Sequence, residues 1–263
     1  MSNIILFIFS IIPAILIGLF VYKKDKNKEP IKLLLKLFLG GVLSIFITLI
    51  LDGILSTIIP FLSIDIENVK ELNIIQSIIY AFIGVALVEE TSKWIMLYII
   101  SYNNKEFDEF YDMIIYAVFV ALGFATLENI LYVFQNGLAV AILRCILSVP
   151  SHACDGVLMG YYLGLAKIAK LNNNIPLSRK NIILSILIPT ISHGIFDYFI
   201  LSGSIYLLIL FLAFVIFIYI HSYKKIKKTS SLNGKIKYKN NYCINCGTKV
   251  NSDYCPVCGN KNE

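Results

Sequence analysis

Long apolar stretches follow one another along the chain, separated by short segments where charged and polar residues collect. The pattern predicts helices near 4–22, 31–61, 72–100, 111–135, 138–169, 181–201 and 204–222. A span across a hydrocarbon core of about 30 Å needs about 20 residues, and these stretches are long enough. Since lipid cannot satisfy open backbone groups, we expect an all-α fold, a polytopic transmembrane helical bundle of about seven spans.

The composition agrees with a membrane protein. The chain is 57% hydrophobic and only 15% charged, whereas a soluble domain carries about 25% charged residues. The first stretch is predicted to be a span and not a cleavable signal peptide, because no basic segment precedes it and charges follow it.

The stretch 138–169 is too long for a single straight span, since a helix of that length would measure about 48 Å. Pro150 lies near its middle and would interrupt the helical hydrogen bonds. We therefore expect a short half-helix, a break around Ser148–Ser151, and then the crossing helix. Irregular backbone at that depth is tolerated where it is buried in protein or lines a watery cavity.

Basic residues are concentrated after the first span, before the sixth and after the last: Lys23, Lys24, Lys26, Lys28, Lys170, Arg179, Lys180, Lys224, Lys225, Lys227 and Lys228. The segment 62–72, by contrast, is mostly acidic. Because basic loops stay in the cytoplasm, this pattern predicts an outside N-terminus and a cytoplasmic C-terminus. The net charge of +6 follows from the same bias, and it gives no indication of nucleic acid binding.

The C-terminal tail is predicted to be a separate unit, with a basic linker at 223–241 and a zinc ribbon at 242–263. Two Cys-x-x-Cys-Gly turns supply four thiols, Cys243, Cys246, Cys255 and Cys258. Four thiolates suit a structural Zn²⁺ with no open position for a substrate. Two disulfides are the alternative, which a reducing cytoplasm disfavours. The partner of this ribbon is not indicated, and Cys145 and Cys154 are interpreted as packing residues.

Six acids and histidines stand out at about mid-bilayer depth in the predicted spans: Glu89, Glu90, Glu128, His152, His193 and Asp197. A charge at the bilayer centre costs about 2.5–3.5 kcal/mol, so such residues usually mark a functional site. Glu89 and Lys93 are four residues apart and share a helix face, as do His193 and Asp197. Taken singly, each pair could equally serve helix packing. Together they are the groups that activate water.

Other interpretations of the embedded residues stay open at this stage. Asp52 and Arg144 could pair with each other or with the polar set, and structural pairing is favoured. Acids and histidines also form proton relays in transporters, although the chain shows no inverted repeat. A non-catalytic scaffold that recruits a partner through the ribbon is the third interpretation. No Gly-x-Ser-x-Gly motif indicates a serine nucleophile.

Four motifs occur in order: Glu-Glu-x-x-Lys, Gly-Phe-Ala-x-x-Glu-Asn, Pro-x-His and His-Gly-x-x-Asp. This order resembles the PrsW family of bacterial intramembrane proteases, which is similar to the CAAX-prenyl endopeptidases. The resemblance covers roughly residues 1–225 and makes 1–222 the protease-like transmembrane domain. It implies a plasma-membrane endopeptidase that makes the first cut in a single-pass anti-sigma factor during envelope stress.

The same resemblance implies roles for the embedded residues. Glu89 matches the water-activating glutamate and Glu90 its partner. Glu128 stands where relatives carry a histidine that helps to hold water, and His193 with Asp197 matches the motif that stabilises the oxyanion. His152 is the histidine of the Pro-x-His motif. The residues leave open whether a metal ion takes part, because two histidines and a carboxylate would suit zinc while no His-Glu-x-x-His motif is present.

Overall fold

The computed structural model describes residues 3–64, 71–231, 241–242, 248–250 and 254–259. Its helices are α1 (Asn3–Lys24), α2 (Ile31–Ile58), α3 (Ile74–Ile79), α4 (Val88–Ser101), α5 (Phe110–Asn136), α6 (Leu138–Ile146), α7 (Ser148–Leu171), α8 (Ile175–Ser202) and α9 (Ile205–Ser231). A 3₁₀ turn covers Pro60–Ser63, and a π-helical segment, Tyr80–Leu87, joins α3 to α4. The short strands β1 (Asn241–Tyr242) and β2 (Lys249–Val250) pair in antiparallel fashion.

The expected transmembrane bundle is confirmed, with seven helical units in the described residues long and apolar enough to cross a membrane. Helix α5 is central, because 72% of its most apolar 18-residue stretch is buried inside the bundle, compared with 22% for the corresponding stretch of α9. Large apolar side chains remain exposed on the peripheral helices, for example Leu49 on α2 and Ile209 on α9. In a membrane, this apolar surface faces lipid.

The broken span is confirmed, although the break falls slightly earlier than expected. Helix α6 ends at Ile146 and α7 begins at Ser148, so the interruption lies at Leu147. Pro150 belongs to the first turn of α7, where the missing N–H would have had no helical partner in any case. Pro150 therefore lies within the first turn of the second helix and not at the break, and the polar residues that follow it lie on a regular helix.

The last span is longer than the sequence pattern indicated. Helix α9 continues to Ser231, so the first nine residues of the expected linker 223–241 are helical. Lysine side chains such as Lys225 are good helix formers and extend the helix beyond its apolar part. Of the remaining linker residues, 232–240 lie outside the described residues, and Asn241 belongs to β1.

Only part of the expected zinc ribbon is described. Cys243 and Cys246 fall outside the described residues, whereas Cys255 is buried and Cys258 is partly buried. Tyr254 is fully buried and packs with Phe110 and Leu165 at one end of the bundle. The segment 254–259 of the tail therefore lies against the beginning of α5 and the second half of α7.

At the same end of the bundle, the connection between α1 and α2 is joined to α5 by buried acids. Tyr116 donates a hydrogen bond to Glu29 at 2.5 Å, and Asn27 donates one to Glu109. Burial, opposed by the Tyr116 hydrogen bond and reinforced by the nearby charge of Asp25, raises the pKa of Glu29 to about 7. These hydrogen bonds hold the connection against α5, the helix that also carries Glu128.

Two glycines allow α2 and α5 to touch backbone to backbone. A Cβ at Gly41 would overlap the carbonyl oxygen of Val120, and a Cβ at Gly123 would overlap that of Phe38. Small residues at such crossings are what let transmembrane helices approach closely. This contact fixes the position of α5 in the bundle.

We expect Gly41→Ala to lower the thermal unfolding midpoint in detergent, because neither backbone can yield without separating the helices. Overpacking of this kind costs about 1–3 kcal/mol or more. Gly53→Ala on the same helix is the matched control, since nothing lies within 4 Å of its Cβ position, and alanine is the better helix former by about 1 kcal/mol. Equal midpoints for the two variants would contradict the close contact.

Candidate active site within the membrane

The helix with the Glu-Glu pair changes its winding just before the two carboxylates. Residues Tyr80–Leu87 form a π-helix, and regular α-helix resumes at Val88. Such wide turns are rare and are often found at functional sites. Gly194 of α8 packs here, because a Cβ at that position would lie 2.5 Å from the Phe82 ring. The absence of a side chain at Gly194 thus brings its neighbour His193 up to the Glu-Glu pair.

The two glutamates occupy different environments. Glu90 is sealed in the protein, with 1% of its side chain exposed, whereas 12% of the Glu89 side chain is exposed. Glu89 lines a partly open cavity of about 520 Å³. Adjacent positions on a helix point about 100° apart, so one carboxylate reaches the cavity and the other is directed into the bundle.

Lys93 lies at the centre of the polar cluster. Its ammonium is 2.7 Å from Glu90 Oε1, 3.3 Å from Glu89 Oε2 and 3.1 Å from His152 Nδ1. An ammonium has three N–H donors, and all three have acceptors here. The same nitrogen lies 4.1 Å from the centre of the Phe124 ring. The predicted Glu89–Lys93 contact is confirmed, but the closer partner of Lys93 is Glu90.

His152 joins this cluster to the acid on α5. Since its Nδ1 accepts from the Lys93 ammonium, its Nε2 carries the proton and donates to Glu128 Oε2 at 2.9 Å. Arg144 approaches the same oxygen of Glu128 at 2.8 Å. Glu128 therefore finds its partners on other helices, as its sequence context required. Arg144 pairs with Glu128 and not with Asp52, which lines a second, adjoining cavity.

His193 bridges the glutamate pair and the aspartate of its own helix. Its Nδ1 is 2.9 Å from Glu90 Oε1, and its Nε2 is 3.3 Å from Asp197 Oδ2 and 3.9 Å from Glu89 Oε2. The predicted His193–Asp197 pair is therefore present. An imidazole with carboxylates at both nitrogens can donate to both when it carries two protons.

The structure brings together all six residues that the sequence singled out. Glu89, Glu128, His152, His193 and Asp197 line the same cavity, and Glu90 supports them from behind. The rings of His152 and His193 are 5.1 Å apart. The acids and imidazoles from four spans therefore converge on one polar pocket inside the membrane bundle.

One acid of this site was not singled out from the sequence. Asp155 is 2% exposed and lines the cavity, and its Oδ1 has no hydrogen-bond partner within the described part of the chain. It follows His152 by three residues, so the two share a helix face. An aspartate at that spacing in an apolar helix was the signal available in the sequence.

Four of these groups also satisfy the spacing of a metal site. One ligand atom from each of Glu89, Glu90, His152 and His193 lies within 4.8 Å of the others, and all four residues are buried. Two imidazoles and two carboxylates are a donor set that suits zinc and similar divalent ions. The ammonium of Lys93 contacts three of the same residues.

Comparisons with known proteins agree on one family. Residues 29–221 match the family described as PrsW family intramembrane metalloprotease. The chain is 36% identical over 220 residues to Protease PrsW of Oceanobacillus iheyensis, which covers 84% of this chain and 94% of that protein. It is 35% identical over 226 residues to Protease PrsW of Bacillus subtilis, covering 85% of this chain and 94% of the relative.

A third relative, Protease PrsW of Geobacillus kaustophilus, is 38% identical over 187 residues, which is 71% of this chain and 75% of the relative. No solved structure matches the chain significantly. The family match covers helices α2 to α8, the first part of α9 and every residue of the polar pocket. The chain therefore belongs to the PrsW family of intramembrane metalloproteases.

Proposed function

We propose that this intramembrane protease hydrolyses a peptide bond of a single-pass membrane protein, with Glu89 as the general base. The observation that carries the proposal is the difference between the two glutamates: the carboxylate of Glu89 lines the cavity, whereas that of Glu90 is buried in the protein next to it. A base must reach the water whose proton it takes, and Glu89 meets that condition. The name of the relatives, Protease PrsW, agrees with this class of reaction.

Glu90 and Lys93 have positioning roles in this proposal. The Lys93 ammonium holds both glutamates, and Glu90 in turn holds His193. These contacts hold the carboxylate of Glu89 and the imidazole of His193 side by side, 3.9 Å apart, at the wall of the cavity that would receive the scissile carbonyl. Orientation of this kind supplies a large part of catalysis, because the reacting groups need not search for each other.

The charge that develops on the substrate is stabilised by His193. Its Nε2 faces the cavity between Asp197 and Glu89, and a proton there can be donated to the oxyanion. One such donor is typically worth about 3–4 kcal/mol. Glu89 then returns the abstracted proton to the departing amine nitrogen. The hydroxyl of water ends on the carbonyl carbon, and the new carboxyl and amino ends separate.

Glu128 and His152 line the pocket beside Glu89. His152 is held by Lys93 at Nδ1 and by Glu128 at Nε2, so neither ring nitrogen is free to act as an independent base. Arg144 balances the charge of Glu128. We assign these residues to orienting the water beside Glu89.

The donor set fits the metal ion that the family description implies. Glu89, Glu90, His152 and His193 are the residues that would hold it, and the ammonium of Lys93 would have to leave three of them first. A bound divalent ion would act there as a Lewis acid toward water or the carbonyl oxygen. A metal count on the full chain, with and without His193→Ala, decides the matter. If the variant loses one equivalent of metal per chain, the pocket binds an ion. If the metal content is unchanged, the side chains catalyse hydrolysis without a metal ion in the pocket.

The cavity suits an apolar substrate segment. Apart from the polar set, its walls are side chains such as Leu143, Leu147, Phe196 and Phe211 from helices α6, α8 and α9 and the α6–α7 break. A helical substrate hides its amide groups, so the segment must be extended where it is cut. We place the cut in the outer half of the membrane, with the N-terminus of the protease outside and its C-terminus in the cytoplasm, following the basic loops.

The family resemblance extends the proposal to the biological substrate. We infer that the cut is the first step in releasing a sigma factor from a single-pass anti-sigma factor, as part of an envelope stress response in the plasma membrane. Membrane lipid is the other partner of the protein.

We also propose that Zn²⁺ is held by the ribbon cysteines Cys243, Cys246, Cys255 and Cys258. Support comes from the described half: the backbone N–H of Val257 points at Cys255 Sγ at 3.4 Å, and Cys258 packs beside Cys255. Such N–H contacts to sulfur stabilise a thiolate. With four thiolate ligands the role of this zinc is structural.

The function is tested by comparing membrane proteomes of cells that express the wild-type chain or His193→Ala. We expect a single-pass protein to accumulate at full length in the variant, and its two fragments to appear only with the wild type. His221→Ala is the matched control, because His221 lies on α9 and stacks on Phe217 away from the pocket. The proposal fails if the His193 and His221 variants give the same fragments as the wild type.

A further inference from the structure

A second cavity, of about 270 Å³, adjoins the active-site cavity. The two cavities share four lining residues, namely Tyr80, Val85, Glu89 and Tyr132. Glu89 therefore faces both spaces, with the two tyrosines at the junction between them. The second cavity extends away from the broken span α6–α7 and toward α2 and the turn that follows it.

The walls of the second cavity carry polar groups. Thr48 and Asp52 come from α2, and Ser63 comes from the 3₁₀ turn after α2. Asp52 lies six residues before the end of α2, about 9 Å along the helix axis. Its side chain is exposed, and no residue in the described ranges gives it a hydrogen bond or an ion pair. A carboxylate inside a transmembrane helix without a protein partner needs water around it.

The volume of the second cavity agrees with this requirement. At about 30 Å³ per molecule it accommodates about nine waters. Polar walls and an unpaired carboxylate are the conditions under which a cavity is wet, whereas cavities lined by apolar groups alone stay dry. The larger cavity is lined mostly by apolar side chains on the side of α6, α8 and α9.

Hydrolysis consumes one water for each bond that is cut. A substrate segment that fills the larger cavity displaces water from it and closes that approach to Glu89. We propose that the second cavity is a water-binding antechamber, which supplies the hydrolytic water to Glu89 from the aqueous side next to the α2–α3 connection. Its role in hydrolysis rests on the proposed function, but its access to water does not.

Water access is tested by cysteine labelling in sealed vesicles. Full-length chains with Cys145 and Cys154 replaced by Ala carry either Thr48→Cys or Ile50→Cys, and a charged, membrane-impermeant thiol reagent is added to one side. Ile50 is the matched control, because it lies two residues away on α2 and is 63% exposed on the apolar surface of the bundle. Labelling is read on the α2 peptide by mass spectrometry, which separates it from the tail cysteines.

The thiol introduced at Thr48 should react at least tenfold faster than the thiol at Ile50, and only from the side of the α2–α3 connection. Equal rates, or reaction with permeant reagents alone, would overturn the antechamber. This result does not depend on any protease activity, so it stays distinct from failure of the proposed function.

The supply role is tested by filling the cavity with Thr48→Phe, against Ile50→Phe as control. With the substrate found in the proteome comparison, we expect kcat to fall at least tenfold for Thr48→Phe with KM unchanged, because substrate binding is in the other cavity. Thermal unfolding of both variants shows whether the bundle is intact. A folded Thr48→Phe protein with wild-type kcat would overturn the supply role, even if labelling shows that the cavity is wet.

Discussion

Glu89→Gln should reduce peptide-bond cleavage by about 10²–10⁴-fold, the range in which general base catalysis contributes. Glutamine has nearly the same shape, and its carbonyl oxygen can still accept from Lys93, which lies 3.3 Å from Glu89 in the wild type. The cluster around Lys93 should therefore persist. We expect the thermal unfolding midpoint to stay close to that of the wild type, so the loss is one of chemistry and not of folding.

The measurement is the rate of fragment formation in proteoliposomes that contain the protease and the substrate found in the proteome comparison. Glu106→Gln is the control, because Glu106 is exposed in the connection between α4 and α5. It should leave the rate unchanged. A Glu89→Gln protein that keeps more than a tenth of the wild-type rate would remove Glu89 from the role of base.

Glu90→Gln separates the roles of the two glutamates. Glu90 is sealed and holds both Lys93 and His193, so its charge is part of the structure of the site. The two variants are therefore expected to differ. Glu89→Gln should keep its thermal stability and lose cleavage, whereas Glu90→Gln should lose thermal stability as well.

Helical periodicity accounts for the parts of the site that the sequence could predict. Residues four apart on one helix share a face, so the contacts Glu89–Lys93 and His193–Asp197 could be expected from their spacing alone, and both are present. The number of spans followed from the apolar stretches in the same way. Such predictions need only the geometry of a single helix.

Contacts between helices could not be predicted with the same certainty. Arg144 meets Glu128 rather than Asp52 because the half-helix α6 folds back beside α5. His193 reaches Glu90 because Gly194 has no Cβ, which lets the Phe82 ring pack against its backbone. These pairings depend on how closely two helices approach, and at His193 the missing Cβ of Gly194 sets that distance.

The pocket as a whole holds more acids than permanent cations. Five carboxylates line or support it, namely Glu89, Glu90, Glu128, Asp155 and Asp197. Within the described residues, the permanent cations beside these carboxylates are Lys93 and Arg144. The two imidazoles can add positive charge only by binding protons. Where no divalent ion supplies the compensating charge, a buried site with this composition must hold exchangeable protons, because uncompensated charges in a membrane interior are too costly. A hydrolase needs such protons for its leaving group.

Lys93→Met should cause the largest loss of stability of any change in the pocket. The ammonium is 1% exposed and lies between Glu89 and Glu90. Methionine has a similar length and no charge, so the fully buried Glu90 would lose its closest cation. Removing one partner of a buried ion pair costs about 3–5 kcal/mol. The midpoint of thermal unfolding in detergent should fall accordingly, and cleavage should disappear with it.

The double variant Lys93→Met/Glu90→Gln distinguishes a charge effect from a packing effect. If the single variant is unstable because Glu90 is left without compensation, neutralising Glu90 should restore most of the unfolding midpoint. Cleavage should not return, because Glu89 and His193 would still lack the groups that position them. A Lys93→Met protein as stable as the wild type, or a double variant no more stable than the single one, would contradict the view that Lys93 is the cation on which the glutamate pair depends.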